Sequence, residues 1–216
     1  MRLCKRSSPQ RFPGSVSAVT IIFMHIPAQK EIFMADVNFG PLKNLIGIWK
    51  GEKGMDIAPD QGGKEENPFY ETIVFEGVGD LKNAESQTVV MVRYLQIVRR
   101  KSNDEVFHDE TGYWMWDPNE NIIMQSLVIP RAVAVLCSGT YSVNSAGEVN
   151  LKVSARLNDA NWGILQSPFM EKKAKTLEFK REFTVSGSRL KYFQNTIVDI
   201  YGKVFDHTDE NELMRV

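Results

Sequence analysis

Val149-Asn150-Leu151-Lys152-Val153-Ser154-Ala155-Arg156-Leu157 alternates without a break. Val149, Leu151, Val153, Ala155 and Leu157 fall on one side, and Asn150, Lys152, Ser154 and Arg156 on the other. A period of two is the signature of a strand with one buried and one wet face. The same pattern recurs downstream, with Leu177, Phe179, Phe183 and Val185 set against Glu178, Lys180, Glu182 and Thr184.

Working outward, further strands are expected near 46–53, 69–78, 87–99, 105–117, 120–129, 131–143 and 189–201, with a weaker one at the C-terminus. Short polar punctuation separates them: Gly77-Val78-Gly79-Asp80, Lys101-Ser102-Asn103-Asp104, Asp117-Pro118-Asn119-Glu120, Asn144-Ser145-Ala146-Gly147 and Ser186-Gly187-Ser188. Turns this short connect hairpins rather than crossovers. The expected fold is therefore all-β, an antiparallel up-and-down barrel of about ten strands, because closure removes aggregation-prone edges. A two-sheet sandwich is the alternative. Helix is confined to one or two short turns over Phe39 to Ile46, while Ser167 to Lys175 reads as a short helix or a loop. The Gly-rich, charged segment Ile57 to Asn67 reads as a mobile loop.

Composition narrows the function. The 216-residue chain is 43% hydrophobic, ample for a core, and carries 26 basic against 27 acidic residues. A net charge of -1 gives no electrostatic reason to bind nucleic acid or an anionic membrane. Cys4 and Cys137, in unrelated contexts, exclude a disulfide framework and a cysteine-rich zinc site, and they suit a reducing, cytoplasmic setting.

Residues 1–38 stand apart from this pattern as an N-terminal extension, leaving 39–216 as the barrel domain. Arg2, Lys5, Arg6, Arg11 and Lys30 precede any acidic residue and flank an apolar stretch from Val16 to Ile26 that is too short to span a bilayer. The extension reads as an export or transit signal, which would place the protein outside the cytoplasm, or as a disordered leader. Met34-Ala35-Asp36 resembles a natural start, which would leave residues 1–33 outside the fold.

No Gly-x-x-x-x-Gly-Lys-Ser/Thr loop, Gly-x-Gly-x-x-Gly turn, His-Glu-x-x-His or Gly-x-Ser-x-Gly elbow is present, so nucleotide, zinc-peptidase and serine-hydrolase chemistries lack their central parts. Imidazole chemistry has three candidates: His25, in the extension, His108 and His207. Parity puts His108 with Glu110, Gly112, Trp114 and Trp116 on one strand face and Phe107, Tyr113 and Met115 on the other, provided no bulge intervenes. His108 is then either hydrogen-bonded inside the barrel or turned toward a ligand. His207 lies in an acidic run, Asp206-His207-Thr208-Asp209-Glu210, which reads either as a solvated tail or, with Val204, Phe205, Leu213 and Met214 at its ends, as a docked final strand. Trp49, Trp114, Trp116 and Trp162 either fill a core or line a cavity.

These residues together resemble a known family. Gly47-Ile48-Trp49-Lys50-Gly51-Glu52-Lys53-Gly54 with Pro59 is similar to the opening signature of the nitrobindin-like haem-binding β-barrels, which are like fatty-acid-binding proteins in fold. Phe69-Tyr70-Glu71-Thr72-Ile73 and the run His108-Asp109-Glu110-Thr111-Gly112-Tyr113-Trp114 match the family's next strands, and Leu213 and Arg215 resemble its terminal Leu-x-Arg. The signature departs at Lys53 and Ala58, where the family has glycine and tyrosine. The resemblance implies a ferric haem b in the barrel, ligated by His207, with His108 on the opposite, open side and Trp49 beside the cofactor. It also implies nitric oxide binding and, in some members, conversion of peroxynitrite to nitrate. The alternative is a non-catalytic carrier of a fatty acid or another small apolar ligand, with Arg93, Arg131 or Arg181 meeting a carboxylate head group. Arg181 shares parity with apolar residues, which equally suits a paired buried arginine of structural role.

Overall fold

The computed structural model describes residues 37–216, so the expectations for residues 1–36 fall outside the described residues. Chain order runs from a 3-10 helix, Gly40–Leu45, through β1 (Gly47–Asp60), β2 (Gly63–Ala84), β3 (Gln87–Arg100), β4 (Val106–Asp117), β5 (Ile122–Ile129), β6 (Val133–Val143) and β7 (Val149–Arg156). The short β8 (Ile164–Gln166) and α1 (Pro168–Lys173) follow, then β9 (Ala174–Ser186), β10 (Arg189–Ile200) and β11 (Lys203–Arg215). Ten strands close into an antiparallel barrel in the order β5-β4-β3-β2-β1-β11-β10-β9-β7-β6, sealed by the β5–β6 pairing, and β8 adds an eleventh strand beside β6. The expected architecture is the observed one. The expected turn before β1 is present, and of its two readings Ser167 to Lys175 takes the helical one, with Ser167 capping α1 by accepting a hydrogen bond from the Met170 amide at 3.3 Å.

Two expected loops are strand. The segment 57–67 belongs to a long β1–β2 hairpin in which Ile57 pairs with Glu66, Ala58 with Glu65 and Asp60 with Gly63. Its charges lie on exposed strand faces, where Lys64 pairs with Glu66 at 2.9 Å, so glycine and charge mark a tight turn instead of a long loop. The Gly77-Val78-Gly79-Asp80 turn is likewise a bulge within β2, with pairing to β3 resuming at Gly79. The weak C-terminal strand is β11, bonded on both sides, to β1 and to β10. Its poor strand formers are offset by cross-strand partners: Glu212 accepts from Lys53 and from Lys191, each at 3.2 Å.

A second bulge decides what β1 points inward. Pairing with both neighbours slips between Gly51 and Gly54 or Met55, which shifts the inward set from Trp49 and Gly51 to Gly54 and Asp56. Glycine is required at 54 because a Cβ there would lie 2.1 Å from the Phe69 ring.

The interior has three levels. At one end the 3-10 helix plugs the barrel with Leu42 and Leu45 against β3, β4 and β6. Gly40 has φ +50° and packs under Trp116, leaving no room for a side chain. Trp49 is fully buried in this plug, with its indole N–H donated to the Leu45 carbonyl at 2.6 Å and Arg215 4.6 Å over its ring. A belt of buried polar side chains spans the middle, including Glu71, Tyr94, Gln96, Glu110, Gln125, Arg181, Gln194 and Asn211. Beyond the belt, the far end of the barrel is hollow.

Candidate functional site

The belt is built around a buried ion pair. Arg181 on β9 binds Glu110 on β4 through both terminal nitrogens, Nη1 to Oε1 at 2.7 Å and Nη2 to Oε2 at 3.0 Å, with both side chains sealed from solvent. The Tyr94 hydroxyl donates to Glu110, and Arg181 Nε donates to Gln194 Oε1 at 2.8 Å. Burial alone would raise the Glu110 carboxyl, but the Arg181 charge and the His108 contact hold it far below the ordinary carboxylate range. Arg181 is thus the structural arginine, and its guanidinium is fully used. Arg93 is exposed and pairs with Glu76, outside the barrel.

A second buried carboxylate, Glu71 on β2, accepts from Gln96 Nε2 at 2.6 Å and Asn211 Nδ2 at 2.7 Å. Its burial raises the carboxyl to about 7, against the lowering effect of hydrogen bonds from Asn211, Gln96 and Tyr192.

Above this belt lies a cavity of about 310 Å³. Apolar walls come from Phe69, Val98, Phe107, Ile129, Val133, Met170, Phe179 and Val198, and polar groups from Asp56, Gln96, His108, Tyr192, Gln194, His207 and Asp209. Exposed Arg131 and Glu65 also border it. Size and lining suit a small-molecule site, for which roughly 300–1,000 Å³ is usual.

Both histidines face this space. His108 Nε2 stands 3.4 Å from Glu110 Oε2, and His207 Nε2 stands 2.6 Å from Asp56 Oδ1. Burial pulls each imidazole down, yet the adjacent carboxylates, Glu110 for His108 and Asp56 with Asp209 for His207, leave both raised. Trp49 does not join them, since it belongs to the plug at the opposite end.

Parity accounts for His108 but not for Phe107. Val98 pairs with His108 and Arg99 with Val106, so Phe107 is the extra residue of a bulge, and it turns into the cavity, where Arg100 lies 4.5 Å over its ring.

Asp56 and Asp209 are the site residues not evident beforehand. Asp56 is hidden by the β1 bulge, for which the two glycines at 51 and 54 are the sequence signal. Asp209 sits in a run whose strand character only its two neighbours reveal.

The profile of the THAP4-like, heme-binding beta-barrel domain family matches residues 38–215, nearly the whole described chain. The chain belongs to that family. Among solved structures, Rv2717c from M. tuberculosis superposes with a TM-score of 0.64 over 84% of this chain and 99% of its own, at 22% identity, a likeness of fold alone. Among curated proteins no relative matches the sequence. Membership in this haem-binding barrel family makes the cavity the place to ask whether the residues present suit haem. The donor set does. An imidazole on the cavity wall has one nitrogen held by a buried carboxylate, the partner that orients ligating histidines, while its Nδ1 makes no hydrogen bond among the described residues.

Proposed function

We propose that this barrel binds ferric haem b in its cavity, with His207 as the protein ligand to iron and His108 as the second imidazole of the pocket. The observation that supports it most is the His207 ring itself, turned into an apolar-walled cavity and oriented by Asp56. With the Nε2 proton donated to Asp56, the free lone pair lies on Nδ1, and rotation out of that bond offers Nε2 instead. Haem, when bound, supplies an iron centre open to a small ligand such as nitric oxide or peroxynitrite. The chain's own residues support the reading: Phe69, Phe107 and Phe179 supply apolar wall, and His108, with Nε2 3.4 Å from Glu110 Oε2, faces the same cavity. No paired general acid and base is needed for such ligand binding.

Titration of haemin into the purified chain tests the proposal through its visible spectrum. A Soret band that shifts on binding and is lost in His207→Ala is expected; an unshifted band, or the same spectrum from the variant, overturns it.

A second reading has its own observation. Arg131, exposed at the cavity border and without an ion-pair partner among the described residues, suits the head group of a small apolar carboxylate in a haem-free carrier. A fluorescent fatty-acid analogue that binds wild type and not Arg131→Ala would favour it.

A further inference from the structure

We propose that Asp56, His207 and Asp209 form a binding site on the cavity wall for a borderline divalent cation of the first transition row, with Zn²⁺ as its representative. One ligand atom from each side chain lies within 4.8 Å of the other two. Topology produces this meeting: His207 and Asp209 are two apart on β11 and share its inner face, and Asp56 is the direct cross-strand partner of Asp209 on β1.

Charge gives the reason to expect a cation. Like charges directly opposite on neighbouring strands repel, and these two stand in the barrel interior. Among the described residues no lysine or arginine forms an ion pair with either carboxylate. Even when protonated, the His207 imidazole offsets only one of the two charges, whereas a divalent ion offsets both.

Each carboxylate is also held by a neighbouring side-chain amide, Asp56 on the oxygen away from His207 and Asp209 on the oxygen nearer to it. Asn67 Nδ2 donates to Asp56 Oδ2 at 2.9 Å, leaving Oδ1 toward His207, and Gln194 Nε2 donates to Asp209 Oδ2 at 3.1 Å. Mixed imidazole and carboxylate donors favour Zn²⁺, Mn²⁺ or Fe²⁺ over Ca²⁺. Ligand bonds of ~2.0–2.2 Å place tetrahedral donors roughly 3.3–3.6 Å apart. Present separations from His207 of 2.6 Å to Asp56 and 3.8 Å to Asp209 bracket that spacing, and the two carboxylates lie within 4.8 Å of each other. Three protein ligands leave the ion's remaining position toward the cavity.

The inference does not rest on haem binding, but it shares His207 with it, so the two ligands exclude each other. Calorimetric titration of ZnCl₂ into the chelator-treated, haem-free chain is the test. Expected are one ion per chain, micromolar or tighter, and at least tenfold weaker binding in Asp209→Asn and His207→Ala, with thermal melts confirming that the variants fold. Absence of 1:1 binding, or affinity unchanged by both substitutions, overturns it. If a variant does not fold, diethylpyrocarbonate labelling of wild type decides: Zn²⁺ must protect His207, and equal labelling with and without the ion refutes the site. A chain that takes Zn²⁺ but gives no Soret shift with haemin defeats only the haem proposal; a Soret shift without Zn²⁺ binding defeats only this one.

Discussion

Asp56 and Asp209 face each other across β1 and β11, and His207 bonds to the first at 2.6 Å while standing 3.8 Å from the second. The triad is therefore lopsided, and Asp209 carries the less compensated charge. Its burial, with the charge of Asp56, raises its carboxyl against the lowering influence of His207. In metal-free protein at pH 8, Asp209→Asn should stabilise the fold by about 1 kcal/mol, since it removes a like-charge cross-strand pair while keeping an acceptor for Gln194. Urea denaturation at pH 8 measures this, and a loss of stability would mean that the carboxylate is better compensated than its contacts indicate.

The Arg181–Glu110 pair should show the opposite behaviour. Arg181→Met leaves a sealed carboxylate without its guanidinium, so a loss of roughly 3–5 kcal/mol is expected. Adding Glu110→Gln should restore much of it, because the uncompensated charge disappears. Equilibrium unfolding of the single and double variants gives the comparison, and additive losses would contradict it.

Glu71 sets a pH dependence. Its carboxyl lies at 4.5 in an ordinary setting and at about 7 in the fold. Between those values the unfolded chain has released this proton while the folded chain still holds it, so stability falls as pH rises through the window and the loss is complete above pH 7. The group's full effect is at most roughly 3 kcal/mol. Wild type measured against Glu71→Gln at pH 4.5 and 7.5 should show that difference moving against wild type at the higher pH; a flat difference would place the Glu71 proton elsewhere.

Gly54 should tolerate no side chain. A Cβ at 2.1 Å from the Phe69 ring must displace it, and Phe69 is both core and cavity wall. Gly54→Ala is expected to cost about 1–3 kcal/mol by overpacking and to weaken haemin binding. Thermal melting and the Soret titration report the two effects, and a variant with wild-type values for both would show that the ring moves freely.

Alternation alone made most of the barrel legible, because a strand with one wet face writes its own period into the sequence. It failed where geometry departs from that period. Reading Gly-rich, charged 57–67 as a loop missed a hairpin whose charges sit on exposed strand faces, and Gly77 to Gly79 marked a bulge instead of a turn. His108 and His207 were visible because histidine is scarce here. Trp49, equally visible, proved to anchor the plug, since nothing local tells which end of a barrel a residue occupies.

Period, composition and the signature residues therefore determined a closed antiparallel barrel of the haem-binding kind, since each is a local property of the chain. Tertiary structure alone decided the site. One extra residue at the β1 bulge turns Asp56 inward, one at the β4 bulge adds Phe107 to the cavity, and pairing between β1 and β11 sets Asp56 against Asp209 beside His207, more than 150 residues away in sequence. Such a meeting depends on register between distant strands, and register is fixed only when the barrel closes.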